Sequence, residues 1–297
     1  MISLKQIHYA LAVEKHLHFK NAAEACHVSQ SALSTAINEL EKHLGFQVFE
    51  RDNKRVLVTP VGRQFLERAL LIGQQVDDLE HLARSQKQPL SYPITLGVIP
   101  TIGPYLLPKV LPSLRRQYPD LPLRLVEETS AVLVDMVRKG EIDTAILALP
   151  YTLDGLLTFE FWQEDFYWVT HRDDAHAQQQ EISSNAINAR ELMLLKEGHC
   201  LKDHALAACR LQAPESLRAF GSTSLHTLVQ MVAGKMGSTL VPEMALETLV
   251  NPSDELKAIH LNEPGPHRRI AFVVRPNYTG MASIEALRRV FREGLLG

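Results

Sequence analysis

From Leu4 to Leu44 apolar residues recur at steps of three and four, the spacing of one helix face, in three short segments. Leu4, Ile7 and Leu11 mark the first stripe, Phe19, Ala22, Ala23 and Cys26 the second, and Leu33, Ala36, Ile37, Leu40 and Leu44 the third. Ser29 is a suitable N-cap for the third segment and Gly45 a suitable stop. Three short amphipathic helices predict a small helical headpiece. Val48 to Arg51 and Val56 to Val58 then read as two short strands around the polar turn Asp52-Asn53-Lys54, a wing. Thr59-Pro60 supplies an N-cap and a first-turn proline for a helix running to about Arg84. Along it Val61, Phe65, Ala69, Ile72, Val76, Leu79 and Ala83 repeat as a coiled-coil-like seam. Such a helix spans roughly 37 Å, and Gln86 to Pro89 ends it.

Beyond Pro89 strand-like and helix-like segments alternate. Ile94 to Ile99, Leu123 to Val126 and Ile142 to Leu149 read as strands, Leu106 to Tyr118 and Ala131 to Lys139 as helices. This order predicts a parallel sheet with helices on its faces. The alternation resumes from Phe161 to about Leu249, and Ile270 to Val274 adds a late strand before a final helix from Met281. The expected fold class is therefore α/β with an N-terminal all-α winged helix-turn-helix, the second part being two-lobed. The expected boundaries are 1–58 for the headpiece, 59–89 for the connecting helix and 90–297 for the α/β part.

Composition narrows the class. The 297 residues are enough for two or three domains, and 45% hydrophobic with 22% charged residues is ordinary for a globular protein in water. No apolar run approaches the roughly 18 residues of a membrane span, so a membrane partner is not expected. Met1 to Lys20 carries Lys5, Glu14, Lys15 and Lys20 and lacks an apolar core, so no signal peptide is read and a cytoplasmic location is expected. In that compartment the three cysteines cannot form a structural disulfide framework; a bridge there would be transient or catalytic. The net charge of -3 does not by itself point to nucleic acid. Local placement does more, because Arg51, Lys54 and Arg55 lie together on the wing.

A helix-turn-helix offers its second helix to the major groove, so that helix needs one apolar face and short hydrogen-bonding side chains on the other. Ser31, Ser34, Thr35, Asn38 and Lys42 form such a stripe opposite Leu33, Ile37, Leu40 and Leu44, with Gln30 at the helix start. A polar stripe alone reads equally well as a solvated face. Its place between a short helix-turn and a basic wing favours DNA. The segments Phe19 to Ser34 (FKNAAEACHVSQSALS), Ile37 to Gly45 (INELEKHLG) and Phe49-Glu50-Arg51 closely resemble the N-terminal signature of LysR-type transcription regulators. The resemblance implies Ser29, Gln30 and Ser34 at the DNA surface, Arg51 on the wing, and a periplasmic-binding-protein-like regulatory domain after the connecting helix. Ser31 departs from the family's usual proline at the helix start. Cys26, on the apolar stripe, is expected to be a buried core thiol.

Lys196 to Cys209 (KEGHCLKDHALAAC) places two cysteines nine positions apart. Gly198 breaks the preceding strand and Leu201 to Cys209 is rich in helix formers, so Cys200 should stand at a helix N-terminus. There the dipole and free amides favour a thiolate, with His199 adding to the effect. Continuous helix would hold the two Cα atoms roughly 13 Å apart, whereas a disulfide needs about 4.4 to 6.8 Å. A bridge therefore requires local unwinding, the behaviour of a switch. From the residues alone three readings stand: a redox pair, two unrelated buried cysteines, or a metal site built on Cys200 and His204 with His199 or Cys209.

Ile99 to Pro108 (IPTIGPYLLP), Gly198 to Asp203 (GHCLKD) and Cys209 resemble the peroxide-sensing members of the LysR family, and the likeness runs over nearly the whole chain. It implies that Cys200 attacks hydrogen peroxide and that Cys209 resolves the product to a disulfide. It also implies a peroxide pocket of Thr101, Thr129, His199, Asp203 and Arg268, with Arg269 as the competing register for the arginine. Without the resemblance Thr101 and Thr129 read as strand-end or capping residues. The implied partners are double-stranded promoter DNA, further copies of the chain as a homodimer or homotetramer, RNA polymerase, and a thiol reductant such as glutaredoxin or thioredoxin. No resident cofactor or metal is expected, and the expected activity is regulation rather than catalysis. Two other functions remain: a LysR-type regulator that binds a small organic effector between its lobes, and a thiol peroxidase carrying a DNA-binding module.

Overall fold

Ser3 opens the first helix, α1 (Leu4–His16), with a capping box: its hydroxyl accepts the Gln6 N–H and the Gln6 side chain takes the Ser3 N–H. The computed structural model describes residues 1–52, 55–85, 89–196, 198–209 and 224–296. The chain divides into two units, Met1–Ala83 and Arg84–Gly297.

In the first unit α2 (Phe19–Ala25) and α3 (Gln30–Leu44) follow α1. Ser29 caps α3 as expected, its hydroxyl accepting the Ala32 N–H at 3.2 Å, and Gly45 closes it in the left-handed conformation with φ 75°. The core gathers Ala10, Val13, Ala22, Ala23, Leu33, Ile37, Leu40, Val48, Phe49 and Leu66. Two expectations need correction. Leu4 is exposed, since it begins α1 a full turn before the buried face of Ile7, Ala10 and Val13. Cys26 is half-buried, since it caps the C-terminus of α2 and does not lie within the helix. The wing forms as β1 (Phe49–Asp52) antiparallel to β2 (Arg55–Val58), with Phe49 opposite Val58. Its turn residues Asn53 and Lys54 lie outside the described residues. The Glu41 carboxylate accepts the Val48 and Phe49 N–H groups at 2.9 and 3.0 Å, which ties the wing to α3.

Thr59 starts α4 (Pro60–Ser85): its hydroxyl donates to Gln47 O at 2.7 Å and accepts the Gly62 N–H at 2.8 Å. The expected seam divides. Leu66 and Ala69 are buried, Leu66 in the headpiece core with Phe65 packed beside it, while Val61, Ile72 and Leu79 are exposed together with Leu71. A methyl group on Gly62 would meet Val48 O at 2.2 Å. Because that atom is backbone and cannot turn aside, Gly62→Ala should destabilise the first unit by about 1–3 kcal/mol, seen as a lowered Tm in thermal unfolding.

The second unit holds two sheets. The elements of the first lobe are β3 (Ile94–Val98), α5 (Gly103–Gln117), β4 (Leu123–Glu127), α6 (Ser130–Arg138), β5 (Thr144–Leu149) and β6 (Leu157–Glu164). The chain then enters the second lobe through β7 (Phe166–His171), β8 (Glu181–Ile182), α7 (Cys200–Ala208), α8 (Leu225–Ala233), β9 (Thr239–Pro242), α9 (Glu243–Leu249) and β10 (Leu256–Leu261). It returns as β11 (Arg268–Val274) and ends in α10 (Met281–Leu296). The sheet orders are β4-β3-β5-β11-β6 and β8-β10-β7-β9.

The predicted parallel arrangement holds for β4, β3 and β5, but β11 is antiparallel to both β5 and β6. The reason is the route of the chain. β5 and β6 end near the border between the lobes and β11 begins there, with Arg268 opposite Glu164, so β11 must run the other way. In the second sheet β10–β7 and β7–β9 are also antiparallel. Only Asp165 separates β6 from β7, and residues 262–267 separate β10 from β11. These two crossings are bound to each other. The Phe166 N–H donates to His267 Nδ1 at 2.9 Å, the two rings stack at 5.7 Å, and Asp165 accepts the His267 N–H at 3.3 Å. Helix α5 begins three residues earlier than the apolar pattern indicated, because Pro104 fits its first turn. Among the described residues, no helix is long and apolar enough to cross a membrane.

Candidate functional site

On α3 the side chains of Gln30, Ser31, Thr35, Asn38 and Lys42 are exposed, as is the capping Ser29. Ser34 is half-buried on the same helix. The Ser29 hydroxyl is engaged by the Ala32 N–H and lies 3.0 Å from the Ser31 hydroxyl, so it serves the helix end as well as the surface. Arg51 lies on β1. The exposed amides and hydroxyls at the start of α3 can donate to and accept from base edges, the chemistry of major-groove reading.

The thiol site is assembled from the starts of three elements. Cys200 is the first residue of α7, Ser130 the first of α6 and Arg268 the first of β11. Thr101, just after β3, joins them and is buried. Arg268 is 0% exposed. Its Nε donates to Glu164 Oε1 at 2.5 Å, one Nη donates to Thr101 O at 3.2 Å, and the other lies 3.5 Å from Thr101 Oγ1. The second oxygen of Glu164 accepts the Met244 N–H at 2.9 Å. Arg269 instead pairs with Glu160 at 2.7 Å on a half-exposed surface, so Arg268 is the arginine that faces Thr101.

Cys200 itself is 4% exposed. Burial pushes its pKa up, outweighing the lowering effects of the Ser130 hydroxyl and Arg268, while Asp203 raises it further. The helix N-terminus alone predicted a thiolate; desolvation of the sulfur reverses that expectation. His199 is half-buried at the N-cap, and burial lowers its pKa, so at pH 7 it is neutral and lends no cationic help. Asp203 is exposed on α7, and Thr129 is half-buried at the N-cap of α6 without making a capping bond. Because a thiolate is the attacking species, the rate of reaction at Cys200 should keep rising with pH above about 8.5, the range of a free cysteine. Iodoacetamide labelling across pH, followed by peptide mass spectrometry, measures this; a plateau below pH 8 would contradict it.

Cys209 caps the C-terminal end of α7 and is also buried, its thiol pushed up to about 12 by burial first and then by Glu263. Both thiols are free. With α7 continuous between them, helix rise holds the Cα atoms roughly 13 Å apart. Three residues at the site are not singled out by the sequence, Ser130, Glu164 and Tyr151, while His204 reads there only as a candidate metal ligand. Tyr151 stands near Cys200 and Asp203, and burial first of all raises its pKa. His204 is buried, its Nε2–H donating to Pro150 O at 2.8 Å, and among the described residues Nδ1 has no hydrogen-bond partner. Ser130 reads from sequence as a helix start, and Glu164 lies 104 positions from the arginine it holds.

Residues 4–63 match the bacterial regulatory helix-turn-helix model of the lysR family, and residues 87–296 match the LysR substrate binding domain. The chain belongs to the LysR family of transcription regulators. It is 37% identical to the probable hydrogen peroxide-inducible genes activator of Streptomyces viridosporus, over 99% of this chain and 94% of that one. It is also 37% identical to the regulator EstR of Acinetobacter baylyi, over 92% and 90% of the two chains. Its fold is similar to a full-length OxyR variant of Pseudomonas aeruginosa, with a TM-score of 0.82, 34% identity and coverage of 98% and 95%.

Proposed function

We propose that this protein is a DNA-binding regulator that senses hydrogen peroxide through a reversible Cys200–Cys209 disulfide and so controls oxidative-stress genes. The observation that carries the reading is the pairing of thiols at opposite ends of one short helix, the first of them enclosed by Ser130 and Arg268. The Cys200 sulfur attacks one peroxide oxygen; the S–O bond forms as the O–O bond breaks. The departing hydroxide takes up the thiol proton and leaves as water, so sulfur is oxidised and peroxide reduced. The Cys209 sulfur then displaces the second oxygen as water, closing the disulfide. Thr101, Thr129, His199, Asp203 and Arg268 form the peroxide pocket, Arg268 and the hydroxyls offering donors to the oxygen on which negative charge develops. The protein turns over once per thiol pair and is reset by a cytoplasmic thiol reductant such as glutaredoxin or thioredoxin, which makes it a switch and not a peroxidase.

Ser29, Gln30, Ser31, Ser34, Thr35, Asn38 and Arg51 contact promoter DNA, with RNA polymerase as the downstream partner. The exposed residues Val61, Ile72 and Leu79 of α4 form the contact of a homodimer, two of which make a tetramer. A nuclease footprint on promoter DNA, comparing reduced with peroxide-treated protein, tests the function. A changed footprint is expected, and an identical one would remove the peroxide reading. Sedimentation of a Leu79→Glu variant tests the assembly: its dimer should weaken at least tenfold, since about 1.4 kcal/mol per tenfold is less than one buried leucine contributes.

A further inference from the structure

Arg268 is a buried cation, and a buried cation needs a partner or it costs several kcal/mol. Its partner is Glu164, itself wholly buried, and the pair is joined through Nε. Glu164 is in turn fixed by the Met244 N–H at the β9–α9 junction, so neither group is free to rotate. With Nε held by Glu164 and one Nη held by Thr101 O, the guanidinium has a set orientation toward Thr101, and its charge acts on Cys200. The pair also spans the border between lobes, Glu164 ending β6 and Arg268 beginning β11.

We propose that Glu164 is a positioning and charge-setting residue for the peroxide reaction, orienting Arg268 and cancelling enough of its charge to keep Cys200 a resting thiol. The inference rests on the reading of Cys200 as the peroxide-reactive thiol. The charged and titratable groups around the pair are Cys200, Asp203 and His204 on α7, Tyr105 on α5, Glu127 at the end of β4 facing Tyr105, and Asp165 and Glu243 on the Glu164 side. Among the described residues, Glu164 is the carboxylate in hydrogen-bond contact with the guanidinium. Removing its charge leaves Arg268 as an uncancelled cation near the sulfur, and an opposite charge within about 4–6 Å lowers an acid's pKa by roughly 1–3 units.

The test uses the full chain with Glu164→Gln and Glu164→Asp, folding being checked by circular dichroism. Cys200 alkylation by iodoacetamide and oxidation by stoichiometric peroxide are each followed across pH by peptide mass spectrometry. In Glu164→Gln the pH midpoint of alkylation should fall by about one unit. The rate at pH 7 should then rise only about threefold, because a tenfold gain in thiolate is partly offset by its lower nucleophilicity. In Glu164→Asp the charge remains but the anchor retracts, so the midpoint should hold while peroxide oxidation slows by about tenfold through a misplaced guanidinium. A merely structural residue would not separate midpoint from rate in this way. A folded Glu164→Gln protein with an unshifted midpoint overturns the proposal. If that variant does not fold, an unslowed Glu164→Asp protein overturns it and a slowed one supports it. Should wild-type Cys200 resist peroxide while Glu164→Gln still shifts alkylation, the peroxide reading fails and the control of the thiol by Glu164 stands.

Discussion

Treated with one equivalent of peroxide, the Cys209→Ser protein should halt at a Cys200 sulfenic acid, and a second equivalent should carry it on to the sulfinic acid, whereas Cys200→Ser should gain no oxygen at position 209. The asymmetry follows from where each sulfur sits. Cys200 has a hydroxyl and a guanidinium at hand to favour its anion, whereas Cys209 is pushed up to about 12 with Glu263 adding to the burial effect. That burial holds Cys209 as a protonated thiol at neutral pH in the reduced fold. Cys209 can therefore resolve the sulfenic acid only after the C-terminal end of α7 opens. Closing a ten-residue loop removes roughly 3 kcal/mol of unfolded-state entropy, which is too small and too general to define a switch. The specific element is the helix, whose roughly 13 Å span excludes the bridge. Oxidised wild-type protein should lose amide protection across 201–209 in hydrogen exchange, while the headpiece keeps its own. A disulfide that forms with protection across α7 unchanged would defeat the switch.

The second large effect is expected at Ser34→Arg, which should lower specific promoter affinity at least about 100-fold, close to 3 kcal/mol, while leaving the peroxide reaction unchanged. Ser34 is half-buried one turn along α3 from Gln30. A long side chain there must swing out across the face that approaches the bases and hold it off the groove. The added charge would at the same time strengthen non-specific attraction to phosphates. The informative quantity is therefore the ratio of specific to non-specific affinity at fixed salt, measured by competition. A ratio within threefold of wild type would mean that the reading face lies elsewhere on the headpiece.

The headpiece was legible because its information is local. Helix period, Ser29 and Gly45 each act within a few residues, and the structure places the caps where those residues stand. The wing followed from the same local pattern. The parallel strands β3, β4 and β5 were legible for a related reason, being joined by intervening helices. The direction of β11 was not, since it depends on which lobe the chain is returning from. The thiol site shows the same division. Cys200 at a helix start could be read from Gly198 and the helix formers after it. Its protonation could not, because burial in the folded chain outweighs the groups that favour the anion, among them Ser130 and Arg268, which lie far off in sequence. The choice between Arg268 and Arg269 was likewise open, as adjacent strand residues face opposite ways and only the sheet register says which faces inward. Glu164 was invisible for want of any sequence relation to its partner.

The order of strands in the first sheet governs how the chain can fold as it is synthesised. β11 lies between β5 and β6, yet it is the last strand to leave the ribosome. The headpiece and the second lobe's strands from β7 to β10 are complete in contiguous stretches and can close as they emerge. The first lobe cannot, since β5 and β6 have no common neighbour until residue 268 onward is available. A nascent chain arrested near residue 262 would carry two bare strand edges, the form in which sheet proteins pair with the wrong partner. Arg268, the residue that meets Thr101, is also the first residue of the strand that closes this gap. The proposed peroxide site is therefore completed in the same late step that completes the sheet, and a chain that has not finished its first lobe lacks the arginine that this site requires.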